Sequence, residues 1–402
     1  MIEHKEYLEK LLGHKDKRLI KVITGVRRCG KSTLLEMFQG RLHEMSIGED
    51  QIISINFEDY VNEYLLDLDT LHTYVLEHAV KGKMTYVFLD EIQKVMGFQK
   101  VVDSLYLRKN LDIYITGSNS DLLSGELASL LTGRYVEIEM LPLSFAEFVV
   151  ANGGMTDLQN KYRMYIENSA FPGALEFENN RKLILDYLDG IYNSIVTNDI
   201  VKRKRITDTM MLRSVLCFIF DNVGSHLSTK SISDYMNSNG RKIDVKTVEK
   251  YITALVESFL LYRAYRFDIK GKQQLKTLEK YYAVDIGIRY AILGNEGADV
   301  GYILENVIYL ELIRRGYKVT VGKWDELEVD FVAKSPTERL YFQVAVSVRD
   351  ENTLKRELRS LQKINDHYPK FILTLDDDPD SDYDGIRRTN ALYWLCESIS
   401  GN

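Results

Sequence analysis

The stretch Gly25-Val-Arg-Arg-Cys-Gly-Lys-Ser32 constrains this chain more than any other. Its pattern, G-x-x-x-x-G-K-[ST], is that of a phosphate-binding loop. An apolar run at 19–23 reads as a β-strand before it, and good helix formers at 33–38 follow. The loop therefore lies between a strand end and a helix N-terminus. There, glycines let backbone N–H groups curl around phosphate and the helix dipole favours negative charge. Gly25, Val26, Arg27, Arg28, Cys29, Gly30, Lys31, Ser32 and Thr33 are the expected nucleotide-binding residues. Lys31 would reach the β- and γ-phosphates, and Ser32 would give its hydroxyl to Mg²⁺.

The pattern around the loop repeats strand and helix. Strands are expected at 51–57, 85–91, 111–116 and 135–141, and helices at 63–81 and 98–109. Such alternation predicts a parallel sheet covered on both faces, with ligands at the strand carboxyl ends. The strand at 85–91 ends in Asp90-Glu91. Asp90 would hold Mg²⁺, and Glu91 would act as general base toward water. The strand at 111–116 runs into Gly117-Ser-Asn119, where Asn119 could hold the attacking water and Ser118 is the alternative. Arg134, after Leu131-Thr-Gly133, is the candidate cation for charge developing on phosphate, in its own subunit or in a neighbour's. Arg27 and Arg28 are alternatives, or they pair with acidic residues of the core.

The remaining chain changes character twice. Residues 145–205 read as helical, interrupted by Phe171-Pro-Gly173. Helices at 227–235 and 244–257, a turn at Asn239-Gly240 and a strand at 260–267 fit a winged-helix unit. Lys242, Lys246 and Lys250 share one face of its second helix, beside Arg241, with Lys270, Lys272 and Lys276 near an expected wing. They suit phosphate contacts on DNA or form a solvated face. The cluster Lys202-Arg-Lys-Arg205 reads either as a nucleic-acid patch or as a sensor-like strip that approaches a nucleotide from the lid. Residues 300–402 form another α/β segment, and its Asp376-Asp-Asp-Pro-Asp380 run reads as a solvated turn.

Three sets of residues carry a family resemblance: Gly-Val-Arg-Arg-x-Gly-Lys-Ser-Thr-Leu-Leu with Leu-Asp-Glu-Ile-Gln, Ile-Thr-Gly-Ser-Asn-Ser, and Leu-Thr-Gly-Arg before Leu-Pro-Leu-Ser-Phe-Ala-Glu-Phe148. Together the chain resembles prokaryotic ATP-binding AAA proteins that carry a C-terminal domain of unknown function. The resemblance implies an additional-strand, AAA-like P-loop ATPase core using ATP and Mg²⁺, and a nuclease-like C-terminal domain. Analogy with AAA-like chains also allows a homo-oligomer.

In that last segment a helical Glu305 and a strand Asp330 precede a third element. This order resembles PD-(D/E)XK nucleases, where Glu-x-Lys comes next. Here the third element reads Gln343-Val344-Ala345. Gln343 is neutral where metal chemistry wants a carboxylate, and Ala345 is inert where a lysine activates water. Nuclease activity is therefore not expected, although Glu326 or Glu328 could substitute.

The expected organisation is an ATPase core (1–144), a helical lid (145–208), a winged-helix-like domain (209–299) and a degenerate nuclease-like domain (300–402). A chain of 402 residues with 45% hydrophobic and 28% charged residues can build several cores. The net charge of −7 gives no global nucleic-acid signal. Cys29, Cys217 and Cys396 show no metal or disulfide spacing. Cys29 is either a redox-sensitive thiol or, the favoured reading, a small residue fitting a tight loop. Neither an apolar leader nor a membrane-length apolar run stands out, so a cytoplasmic location is expected. Three functions fit: an ATPase coupling nucleotide state to a partner such as DNA, an ATP-held switch with little turnover, and an ATP-regulated nuclease.

Overall fold

The computed structural model describes residues 2–118, 133–294 and 299–397, with backbone alone at 275–277. The chain divides into two compact units, Met1–Pro142 with Glu257–Phe259, and Leu143–Val256 with Leu260–Asn402.

The first unit is built on five parallel strands: β1 (Ile20–Thr24), β2 (Ile52–Asn56), β3 (Thr85–Asp90), β4 (Leu111–Gly117) and β5 (Tyr135–Glu139). Their order is β2-β3-β4-β1-β5, so β4 separates the phosphate-loop strand from the Asp90 strand. Among the described residues four helices flank it: α1 (Lys5–His14), α2 (Lys31–Glu44), α3 (Leu68–His78) and α4 (Phe98–Tyr106). Side chains alternate across a strand, and this assigns the faces. Val87, Leu89, Ile113 and Ile115 join Leu71, Val75, Val101 and Leu105 in one core under α3 and α4. Phe88 and Tyr114 point the other way and pack on Phe38 of α2. Lys21 and Asp112 lie on that same face as a buried ion pair. Asp90 continues the row of Tyr86 and Phe88, so its carboxylate emerges beneath the helix that follows the phosphate loop. The helix expected at 63–81 is shorter: Tyr60–Leu66 is 3-10 helical, and the Asp67 carboxylate caps α3 by accepting from Thr70 N at 2.9 Å.

The second unit begins with helices α5 (Phe145–Ala151), α6 (Leu158–Asn168), α7 (Arg181–Ser194), α8 (Thr209–Asp221), α9 (Thr229–Ser238) and α10 (Val245–Glu257). Ser144 and Glu147 form a capping box on α5, and Ser228 caps α9. Next come β6 (Leu261–Asp268), β7 (Gln273–Ala283), α11 (Ile286–Leu293), α12 (Val300–Arg314), β8 (Lys318–Trp324), β9 (Leu327–Lys334), β10 (Arg339–Ala345) and α13 (Glu351–Gln362). The described chain closes with β11 (Lys370–Thr374), β12 (Ser381–Tyr383), β13 (Ile386–Asn390) and α14 (Ala391–Leu395). The eight strands form one mixed sheet, β12-β13-β11-β10-β9-β8-β6-β7. The β6–β7 hairpin, where a wing was expected, is thus the edge of this sheet, joined in parallel to β8 through Arg266, Phe267 and Asp268. Tyr282, Tyr309 of α12 and Phe331 pack together on one face. Val329, Tyr341, Leu361 and Ile372 form the core that includes α13.

Candidate nucleotide site and a carboxylate cluster

The phosphate loop leaves β1 at Thr24, and Gly25 must pass close to the backbone after β5. A Cβ on Gly25 would lie 2.1 Å from the Met140 carbonyl oxygen, and its φ is +145°, so only glycine fits. Gly30, at φ +109°, turns the chain into α2, and no side chain caps that helix. The first N–H groups of α2 are therefore left for an anion. Cys29 is buried, and burial pushes its thiol up, which suits packing rather than thiolate chemistry.

Lys31 is 4% exposed. Its ammonium donates to the carbonyls of Gly25 (3.0 Å) and Val26 (3.1 Å) and lies 3.9 Å from Glu91 Oε1. The two motifs thus converge on one point. Asp90 Oδ2 accepts from Asn56 Nδ2 at 3.1 Å, and Asp90 Oδ1 accepts from the Thr116 hydroxyl at 2.5 Å. Thr116 Oγ1 in turn accepts from Glu91 N at 2.9 Å. This network locks the ends of β2, β3 and β4 together. Glu91 adopts φ +53°, and its Oε2 accepts from the Gln93 amide, which also lies 3.4 Å from Ser118 Oγ. Ser32 and Thr33 are half-buried at the start of α2. Asn56, Gln93 and Thr116 were not singled out from the sequence; for Asn56 and Thr116 the available signal was a polar residue at or just before a strand carboxyl end.

Arg27 pairs with Glu58 at 3.1 Å, the acidic partner anticipated as its alternative role, and Arg28 is exposed at φ +69°. Arg134 is not brought to this site. Its carbonyl accepts from Ile20 N, so it stands at the opposite end of β1 from the loop, roughly 13 Å along the strand. Its guanidinium pairs with Asp103 at 2.5 Å. Both contacts hold Arg134 away from its own chain's loop. Asn119 lies outside the described residues.

The loop fits the group its motif implies. A buried cation, uncapped helix N–H groups and two adjacent carboxylates are the donor set for a nucleoside triphosphate with Mg²⁺, and Ser32 and Asp90 are the residues that would hold the metal.

In the second unit, Glu305 and Asp330 enter a cluster that also contains Lys280 of β7. The Lys280 ammonium is 2.9 Å from Glu305 Oε1 and 2.9 Å from Glu328 Oε1. Tyr282 OH donates to Glu305 Oε1 at 2.6 Å, and His226 Nε2 meets Glu328 Oε2. Asp330 Oδ2 accepts from Val344 N at 2.8 Å. Gln343 accepts from Asp330 N (2.8 Å) and donates to Glu357 Oε2 (2.7 Å). Glu326 is exposed and stays out of the cluster. Burial and the neighbouring Glu305 carboxylate hold Asp330 well above the usual carboxylate range. For Glu328 burial pushes up, but His226 and Lys280 outweigh it and bring the group down to about 2. Among the described residues no group of three or more His, Cys, Asp or Glu side chains is arranged to hold a metal ion.

Lys242, Lys246 and Lys250 are exposed along α10 and the turn before it, while Lys270 pairs with Asp325 at 3.1 Å. No helix among the described residues is long and apolar enough to cross a membrane.

Residues 17–149 match the AAA domain family, and residues 159–299 match a domain of unknown function, DUF8612. An uncharacterized protein of Haemophilus influenzae is 40% identical over 403 residues, covering 99% of each chain. An uncharacterized protein of Methanocaldococcus jannaschii is 31% identical over 86% of this chain and 78% of its own. Among solved structures, a Walker-type ATPase of Pyrococcus abyssi aligns over 73% of this chain and 96% of its own, with TM-score 0.48 and 15% identity. DnaA of Aquifex aeolicus with bound AMPPCP aligns over 63% and 86%, with TM-score 0.31 and 16% identity. The chain belongs to the family of these two uncharacterized relatives, and its first unit carries the AAA domain, a P-loop nucleotide-binding module.

Proposed function

We propose that the chain is a Mg²⁺-dependent ATPase that couples its nucleotide state to a partner. The observation that carries this reading is the Lys31 ammonium, buried against the loop carbonyls and 3.9 Å from Glu91. In this reading Lys31 binds the β- and γ-phosphates and Glu91 takes the proton of the attacking water. Ser32 and Asp90 would hold Mg²⁺, which would supply charge neutralisation for the phosphates. Asn119 positions the water, and Arg134 serves a neighbouring copy in a homo-oligomer. Steady-state turnover tests it. Glu91→Gln is expected to lower kcat by at least about 10²-fold while ATP still binds, and Lys31→Ala to lose both. Turnover unchanged in Glu91→Gln would sink the assignment.

A second reading, an ATP-held switch with little turnover, is favoured by two contacts. The Glu91 carboxylate is engaged by both Gln93 and Lys31. Tight ATP binding with no measurable hydrolysis by the wild type would select it.

For the rest of the chain the proposed parts are a helical lid (145–208), a winged-helix-like domain (209–299) and a degenerate nuclease-like domain (300–402) in a cytoplasmic protein. The exposed lysines of α10 support duplex DNA as the partner. Lys246→Glu should weaken DNA binding and reduce its salt dependence. The occupied hydrogen bonds of Gln343 and the inert Ala345 support the absence of nuclease activity.

A further inference from the structure

Glu305, which a nuclease-like order assigns to a divalent cation, and Glu328, its candidate substitute, already hold a cation that belongs to the chain. Lys280 comes from β7, outside the segment that resembles a nuclease, and its side chain is 5% exposed. Its ammonium touches Glu305 and Glu328 at 2.9 Å each, and Asp330 acts on it electrostatically. The polar atoms around it are also engaged. Glu305 holds Tyr282, Glu328 holds His226, Asp330 holds Val344 N, and Gln343 spends both ends of its amide on Asp330 and Glu357. Removing one partner from such a buried pair leaves uncompensated charge, so the arrangement is far costlier to dismantle than to keep.

We propose that Lys280 is a built-in counter-cation, filling the place where Glu305, Glu328 and Asp330 would otherwise take a hard divalent ion. The wild-type cluster is closed to metal, and shortening Lys280 opens it. Size permits the exchange. An ammonium takes its oxygens at 2.9 Å here, whereas Mg²⁺ takes them at about 2.0–2.1 Å and keeps several waters. The Glu305 and Glu328 carboxylates need close in by less than about 1 Å, and the vacated lysine stem leaves room for the waters and for Asp330 to approach. The inference rests on the nuclease-like reading of the C-terminal sheet.

The test is Mn²⁺ titration of the full chain without nucleotide, followed by calorimetry and by loss of the free-Mn²⁺ spin-resonance signal. An Asp90→Ala background removes the metal carboxylate of the first unit. The wild-type cluster should take up no Mn²⁺. Lys280→Ala should bind one Mn²⁺ per chain with Kd of about 10⁻⁴–10⁻³ M, raise its melting temperature with Mn²⁺, and lose both effects when Glu305→Gln is added. Should Lys280→Ala fail to fold, Glu305→Gln should restore folding by removing a repelling charge. A Lys280→Ala chain that folds without Mn²⁺ uptake, or that Glu305→Gln does not rescue, overturns the proposal. So does wild-type Mn²⁺ uptake abolished by Glu305→Gln. The underlying reading fails separately, through Mg²⁺-dependent DNA cleavage by the wild type that Asp330→Ala abolishes.

Discussion

Gln93 holds the carboxylate of Glu91, the residue proposed as the base. Its amide donates to Glu91 Oε2 while Lys31 stands 3.9 Å from Oε1, so both oxygens are engaged. Losing that hydrogen bond would free Oε2 to accept from the attacking water, and one such bond is worth about 1 kcal/mol net. Gln93→Ala should therefore raise kcat about five-fold with ATP affinity unchanged, measured at saturating ATP. A kcat that stays level or drops would show that Gln93 orients Glu91 rather than restrains it. Lys31, Asp90 and Glu91 were legible in the sequence because their spacing follows from strand geometry. Gln93 was not, because its contact depends on the left-handed backbone of Glu91, which no local pattern announces. Lys280 was missed for a related reason. Its partners come from α12 and β9, and only the completed sheet brings them to it.

Elements were read best where their signals were local. The helix that Ser228 caps was expected at 227–235, and every strand of the parallel sheet was placed within a few residues. Strand β7 was not placed. Its residues Gln-Gln-Leu-Lys-Thr-Leu-Glu-Lys-Tyr-Tyr-Ala alternate poorly, and Leu278 interrupts it at φ +61°. Helix α11 was also missed, although Asp285 caps it by accepting from Ile288 N at 2.7 Å. Asp285 also accepts from Ala170 N at 2.7 Å, tying α11 to the chain after α6. Burial pushes this carboxyl up to about 6 from 3.8, against the pull of those backbone donors. A group raised in the folded state adds stability that is complete below its unfolded value and lost as pH rises through the folded one. Wild-type stability should thus fall between pH 4 and pH 6 by up to about 3 kcal/mol relative to Asp285→Asn. Urea unfolding of both chains across that range checks it. Parallel pH profiles for the two would remove Asp285 as the source.

At the scale of the whole molecule, the proposed coupling requires the second unit to sense ATP bound to the first. The chain's two tryptophans, Trp324 and Trp394, both lie in the second unit, so their fluorescence reports that unit alone, whereas calorimetry reports both. Ligand binding stabilises whatever it binds by mass action, about 2.7 kcal/mol at a hundred-fold excess over Kd. ATP with Mg²⁺ should therefore raise a calorimetric transition of the wild type and leave Lys31→Ala unmoved. Coupling adds a second requirement, because a coupling free energy is shared by both sites and is typically about 1–3 kcal/mol. The tryptophan transition should rise with ATP too, by less than the calorimetric one, and the rise should vanish in Lys31→Ala. If the calorimetric transition moves while the tryptophan transition does not, ATP is held and hydrolysed without word reaching the second unit. The ATPase assignment would survive that result, and the transmission of nucleotide state would not.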